Sequence, residues 1–98
     1  MHKYDVAHRD LKPENVLLKR SEDGDQLKIC DLGAAKLLDK HNPCAKNTPY
    51  VVSRYYRAPE LILGTNYYDC SIDIWAAGCI LFELITRTPL FPGETEGL

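Results

Sequence analysis

His8-Arg9-Asp10-Leu11-Lys12-Pro13-Glu14-Asn15 is the stretch that decides how this chain is read. An imidazole, a guanidinium, a carboxylate, an ammonium and a carboxamide stand there at close, fixed spacing. The segment fits the pattern H-R-D-L-x-x-x-N, whose five fixed letters rarely arise by chance in so short a chain. A carboxylate can take a proton from an attacking group, a nearby cation can balance developing negative charge, and an amide oxygen can ligate a hard cation.

Immediately downstream, Val16-Leu17-Leu18 and Leu27-Lys28-Ile29-Cys30 are short apolar runs containing β-branched residues. The polar stretch Lys19–Gln26, with Asp23-Gly24, separates them, and the pattern predicts a β-hairpin with a long loop. Asn15 opens the first strand and Asp31 closes the second, so antiparallel pairing brings an amide oxygen and a carboxylate to one end. A small set of hard oxygen donors suits Mg²⁺, which keeps waters and takes phosphate oxygens as its remaining ligands. Asp31-Leu32-Gly33 follows the second strand and by itself reads as a strand-end turn.

Residues 34–57 are mixed, with Asn42-Pro43 and Thr48-Pro49 as breakers, and predict a long ordered or switchable loop. Ala58-Pro59-Glu60-Leu61-Ile62-Leu63-Gly64 predicts a short helix, with Pro59 in the first turn and Gly64 at the stop. Ile72–Thr86 is the strongest predicted helix. Ser71 is the expected N-cap, Asp73 in the first turn complements the dipole, and Pro89 blocks continuation. Ile72, Ile74, Trp75, Ala77, Ile80, Leu81, Phe82, Leu84 and Ile85 make this helix apolar nearly all round. Such a helix belongs in the middle of a domain, packed on several sides. The chain offers few other elements to surround it, so further polypeptide is expected.

Composition bounds the rest. A chain of 98 residues allows at most one small domain with a modest core. A net charge of −2 argues against a nucleic-acid-binding or membrane-surface protein. Cys30, Cys44, Cys70 and Cys79 form no C-x-x-C and fit no zinc spacing; Cys30 and Cys79 lie in apolar runs and are expected to be buried thiols in a reducing compartment. Met1-His2-Lys3-Tyr4-Asp5 has no apolar core of a signal peptide, and Met1–Tyr4 is compatible with the end of a helix. The apolar run Ile74–Phe82 is too short to span a membrane. No internal repeat is present.

Taken together, the His8–Asn15 motif, Asp31-Leu32-Gly33, Ala58-Pro59-Glu60 and Asp73-Ile74-Trp75 resemble the eukaryotic protein kinase superfamily over nearly the whole chain. The resemblance implies an α+β, protein-kinase-like fold, here a fragment of the mainly helical C-lobe carrying a metal-site β-hairpin. Residues 1–98 would form a partial kinase domain: catalytic loop 8–15, metal-binding hairpin 16–33, activation segment 31–60 and buried central helix 72–86. It further implies ATP and Mg²⁺ as cofactors, protein substrates as partners, and a cytoplasmic protein with the nucleus as a second location. A regulatory or scaffold protein is a further partner it allows, and neither nucleic acid nor a membrane is expected.

By the same resemblance, Asp10 is the catalytic base or orients the attacking hydroxyl, and Lys12 stabilises charge on the transferred group and contacts ATP. Asn15 and Asp31 are the metal and cofactor ligands. Leu32 stands where the family pattern has Phe; it is expected to preserve the apolar packing with a changed shape, which leaves the metal chemistry intact and affects the active/inactive switching of this segment. His8 is architectural, Gly33 structural, and Asp73 ties the central helix to the catalytic-loop backbone. Ser53 faces the substrate and contacts Asp10. Glu60 pairs with an arginine later in such a domain.

Ser53-Arg54-Tyr55-Tyr56-Arg57-Ala58-Pro59-Glu60-Leu61-Ile62 and Leu90-Phe91-Pro92-Gly93 resemble the group holding MAP kinases, cyclin-dependent kinases and glycogen synthase kinase 3. Lys28-Ile29-Cys30-Asp31 with Ala35-Lys36, then Ser53-Arg54-Tyr55-Tyr56-Arg57, is most similar to glycogen synthase kinase 3. Thr48-Pro49-Tyr50-Val51-Val52 also resembles the c-Jun N-terminal kinases, and the two assignments compete. Tyr50 matches an activation-loop phosphotyrosine in both, with Arg54 and Arg57 near enough in sequence to receive its charge. In the glycogen synthase kinase 3 pattern Arg9 and Lys36 line a pocket for a phosphate already on the substrate. Lys12-Pro13-Glu14 resembles the serine/threonine class.

The sequence contains neither G-x-G-x-x-G nor a V-A-I-K strand lysine. Those parts position the ATP phosphates, and positioning with electrostatics supplies nearly all the catalysis in phosphoryl transfer. The 98-residue chain alone is therefore expected to be inactive, its residues serving within a complete serine/threonine kinase. The alternative is a truncated, non-catalytic, partner-binding product whose uncovered helix promotes association.

Overall fold

A computed structural model describes residues 1–38 and 53–91. Tyr50, Thr48 and Cys44, with most of the predicted 34–57 loop and Pro92-Gly93, lie outside the described residues.

The chain opens with a 3₁₀ turn, His2–Tyr4, and Asp5 in the left-handed region (φ 62°) redirects it into β1, Val6–Ala7. Pro13–Asn15 forms another 3₁₀ turn and leads into β2, Val16–Lys19, which pairs antiparallel with β3, Gln26–Ile29. This is the predicted hairpin, in the register Val16↔Ile29 to Lys19↔Gln26. Gly24 adopts φ 119° in its loop, a conformation L side chains rarely reach. The Cys30 amide extends the ladder by donating to the Asn15 carbonyl at 2.9 Å, so Asn15 and Asp31 emerge at the same end of the ribbon.

A second ladder lies inside the region predicted as loop. After the 3₁₀ turn Leu32–Ala34, β4, Lys36–Leu37, pairs antiparallel with β1, aligning Ala7 with Lys36. The Leu38 amide donates to the Asp5 carbonyl at 2.7 Å. Two residues per strand carry no period to detect; burial of Ala7, Leu38 and Cys70 in one small cluster fixes the pairing instead.

α1, Pro59–Ile62, is one turn with proline in its first turn, and Gly64 (φ 80°) follows as the stop. α2 runs Ser71–Thr86. Its start corrects the expected cap: Ser71 is already helical, Cys70 is the cap residue, and the Asp69 carboxylate accepts the Ser71 amide at 2.8 Å. A carboxylate is the stronger acceptor and satisfies the same orphan donor. At the other end Arg87 turns left-handed (φ 63°) and donates its amide to the Glu83 carbonyl at 2.6 Å, so the helix stops before Pro89 acts.

The core joins α2 to the loop segments. Leu11, Tyr56, Ala58, Leu61, Ile72, Ala76, Cys79 and Ile80 form one cluster, and Tyr68 packs against both it and the smaller one. Packing of α2 on several sides is not what is found among the described residues. One face is buried, whereas Ile74 is 64% and Ile85 75% exposed, and Trp75 is covered only in part by stacking on Phe91 at 5.9 Å. The hairpin is similarly bare: Leu17, Leu18, Leu27 and Ile29 are all at least half exposed. Cys79 is buried as expected, whereas Cys30 is only half-buried; Cys70 is buried as well. No helix among the described residues is long and apolar enough to cross a membrane.

Candidate functional site

The His8–Asn15 loop is held from below by α2. Asp73, 3% exposed, accepts the His8 amide at 2.7 Å on Oδ2 and the Arg9 amide at 3.0 Å on Oδ1. Each charge-assisted bond of this kind contributes about 1.5–3 kcal/mol. They stabilise a backbone that the sequence would not choose, since Arg9 sits at φ 70°. A left-handed non-glycine residue costs roughly 1–2 kcal/mol, so the carboxylate outweighs the strain.

His8 is buried and has both ring nitrogens engaged. Nδ1 accepts the Asp10 amide at 3.1 Å and Nε2 lies 2.9 Å from the Cys30 carbonyl. An amide can only donate and a carbonyl only accept, so the bonds assign a neutral ring carrying its proton on Nε2. The imidazole thereby ties the Asp10 segment to the residue preceding Asp31.

On this platform Asp10 projects a half-buried carboxylate. Ser53 Oγ donates to Asp10 Oδ1 at 3.0 Å, and Lys12 Nζ lies 3.8 Å from Asp10 Oδ2. The ammonium is close enough to interact with the acid and partly open to solvent, so it remains available to another anion. Asn15, buried, donates from Nδ2 to the Asp10 carbonyl at 2.8 Å, and this bond leaves its oxygen as the free end of the amide.

Asp31 is exposed and left-handed (φ 62°), and its Oδ1 accepts the Gly33 amide at 3.2 Å. A Cβ at Gly33 would lie 3.1 Å from that oxygen, tight enough to force the turn to adjust. Leu32 is 60% exposed, which corrects the expectation that it packs. It lies on the 3₁₀ turn Leu32–Ala34.

Among the described residues no cluster of three or more His, Cys, Asp or Glu side chains is ready to hold a metal. The donor set at the hairpin end is one carboxylate and one amide. That is too little to hold a cation alone, and it fits Mg²⁺ whose other ligands are water and phosphate.

The remaining predicted residues divide. Arg9 Nε donates to the Ala34 carbonyl at 2.7 Å and Nη1 to the Tyr68 hydroxyl at 3.2 Å, while Lys36 is exposed on β4, level with Ala7 one strand over. Arg54 is exposed on the rim of a cleft of about 460 Å³ shared with Lys12, Glu14, Ser53, Tyr56 and Glu83. Arg57 is half-buried beyond the 3₁₀ turn Arg54–Tyr56. Glu60 stands in the first turn of α1, on the edge of an apolar groove formed with Ile74, Trp75, Leu90 and Phe91.

Three site contacts lay beyond the motif reading. His2 Nε2 lies 2.8 Å from Asp73 Oδ2, Tyr68 holds Arg9, and the buried Tyr56 donates its hydroxyl to Glu83 Oε1 at 2.5 Å. Burial, with the Glu83 carboxylate adding to it, pushes the Tyr56 phenol well above its usual range. Burial alone pushes the Cys79 thiol up. An aromatic or histidine carries no motif by itself; only the fold reveals its partner.

The Asp10 carboxylate thus has a hydroxyl bonded to it, an ammonium near it and the Asn15 amide on its backbone carbonyl. A family model of the protein kinase domain matches residues 1–97, and the chain belongs to the protein kinase domain family.

Proposed function

We propose that this chain contributes the catalytic loop, metal-binding hairpin and central helix of the C-lobe to a complete kinase that phosphorylates protein serine and threonine. The observation that carries the reading is the Asp10 carboxylate, contacted by the Ser53 hydroxyl at 3.0 Å and approached by Lys12 at 3.8 Å. In this reading Asp10 orients the attacking hydroxyl and accepts its proton, and Lys12 offsets charge on the transferred group. Asn15 and Asp31 would hold Mg²⁺, and Lys12 with them would meet ATP. That pair, when bound, supplies the phosphoryl group and the neutralisation of its oxygens. Lys12-Pro13-Glu14 supports serine/threonine over tyrosine.

Among subfamilies, similarity to glycogen synthase kinase 3 is preferred to the c-Jun N-terminal kinases. Under it Arg9 and Lys36 would receive a phosphate already on the substrate. Two of the five guanidinium N–H groups of Arg9 are used by Ala34 and Tyr68, so donors remain. Tyr50, with Arg54 and Arg57, would be the regulatory phosphorylation site, and a cytoplasmic and nuclear location accompanies the reading. The chain alone, without glycine-rich loop or strand lysine, would show negligible transfer.

A non-catalytic, partner-binding role is the second reading, favoured by the uncovered face of α2 at Ile74, Leu84 and Ile85. The test is phosphoamino-acid analysis of peptides incubated with Mg²⁺, ATP and the full-length protein. Phosphoserine and phosphothreonine are expected. Phosphotyrosine alone, or no incorporation, contradicts the proposal.

A further inference from the structure

We infer that Tyr68 is a positioning residue for Arg9, fixing its guanidinium as the receiver of a phosphate group. The inference rests on the proposed role of Arg9, with Lys36, in taking a phosphate. The Arg9 side chain is held at two points: Nε donates to the Ala34 carbonyl at 2.7 Å and Nη1 to the Tyr68 hydroxyl at 3.2 Å. A single bond at Nε would let the guanidinium plane rock about the N–H···O axis. The second bond, at Nη1, removes that freedom. A planar fork held at two points presents its remaining N–H groups in a fixed direction, which is the geometry that bidentate contact with phosphate requires.

Tyr68 can serve as a fixed point because the core holds its ring. It is half-buried and packs against both hydrophobic clusters, the one around α2 and the one of Ala7, Leu38 and Cys70. The two acceptors of Arg9 come from segments that this packing brings together. Ala34 ends the turn before β4, and Tyr68 lies in the stretch leading into α2. Lys36 stands on β4, paired with Ala7, two positions before Arg9. A long arginine ordered in advance spares the binding step the entropy of immobilising it. Tyr68 therefore acts on phosphate through Arg9, and its hydroxyl is the only atom the inference needs.

The experiment is NMR of the Arg9 Nε–H group in the full-length, phosphatase-treated protein, wild type and Tyr68→Phe, during titration with inorganic phosphate. Phe keeps the ring between the two clusters and removes only the hydroxyl. Tyr68→Phe is expected to lower the order of the Arg9 Nε–H vector and to weaken phosphate binding about fivefold, the effect of leaving one long side chain to be ordered on binding. Amide signals of Leu61 and of Ile72–Ile80 stay unchanged. An untreated sample run in parallel separates the sources: a response there too points to phosphate on another molecule, a response only after treatment to phosphate on this chain, and both keep the role of Tyr68. Unchanged Arg9 order, or loosened Arg9 with unchanged phosphate affinity, would overturn the inference. So would amide shifts throughout α2, which would show a general structural role. A wild-type Arg9 signal that ignores phosphate would overturn the phosphate reading of Arg9 and the inference with it. None of these readouts requires turnover, so failure here is distinct from failure of the kinase reading.

Discussion

Ser53 Oγ donates to Asp10 Oδ1 at 3.0 Å although the two residues are 43 positions apart in sequence. The bond joins the segment leading into α1 to the His8–Asn15 loop, and it orients the carboxylate proposed to accept the hydroxyl proton. Ser53→Ala in the full-length protein is expected to lower kcat about tenfold, the value of one hydrogen bond to a charged group. The KM for ATP should not change, and Ser53→Thr should restore most of the rate. Steady-state kinetics on the two variants checks this.

Removing Asp73 strips the partner from two loop amides at once. Asp73→Ala leaves buried donors unsatisfied and is expected to cost about 3 kcal/mol. The check is the urea midpoint of the full chain. The loss should exceed that of any surface acid-to-alanine change, such as Asp23→Ala in the hairpin loop.

Much of this was legible in the sequence, and for a physical reason. The motif residues are contiguous, so their chemistry could be read without knowing the fold, and the hairpin shows two apolar runs around a polar stretch containing Asp23-Gly24. β1 and β4 were not legible because two residues per strand hold no period. The partners of Asp73, Arg9 and Glu83 were hidden for a different reason: His2, Tyr68 and Tyr56 are each single residues distant in sequence. The expected burial of α2 on several sides and the packing of Leu32 were read from apolar residue type alone, which says nothing of which face finds a partner: Ile74, Ile85 and Leu32 are exposed among the described residues. The expected Ser71 cap is off by one position: Cys70 is the cap residue, and the Asp69 carboxylate accepts the Ser71 amide.

Arg87 closes α2 in the left-handed conformation, at φ 63°. Glycine pays no Cβ penalty there, and Arg87→Gly is expected to stabilise the chain by about 1 kcal/mol. Thermal denaturation should show a higher Tm for the variant.

The Tyr56 phenol is held neutral by burial and by Glu83, so the folded state keeps this proton to higher pH than the unfolded chain. Between the ordinary phenol value, about 10, and the raised folded one, the unfolded state binds fewer protons and stability falls as pH rises. The contribution is intact below about pH 10 and is lost above it. Tyr56→Phe is expected to be less stable at neutral pH by about 1 kcal/mol and to show a flatter alkaline decline. Urea midpoints followed through that range compare the two slopes. A parallel decline in both proteins would assign the alkaline loss to other groups.

The most direct test of the central claim is transfer of labelled phosphate from ATP to a protein substrate by the full-length protein, with and without Asp10→Asn. Asn keeps the shape of the side chain and its contact with Ser53 while removing the base. A fall in kcat of about 10²–10⁴, with nucleotide binding retained, is the expected result. Equal turnover by the Asp10→Asn protein would contradict the assignment of this loop as the catalytic centre.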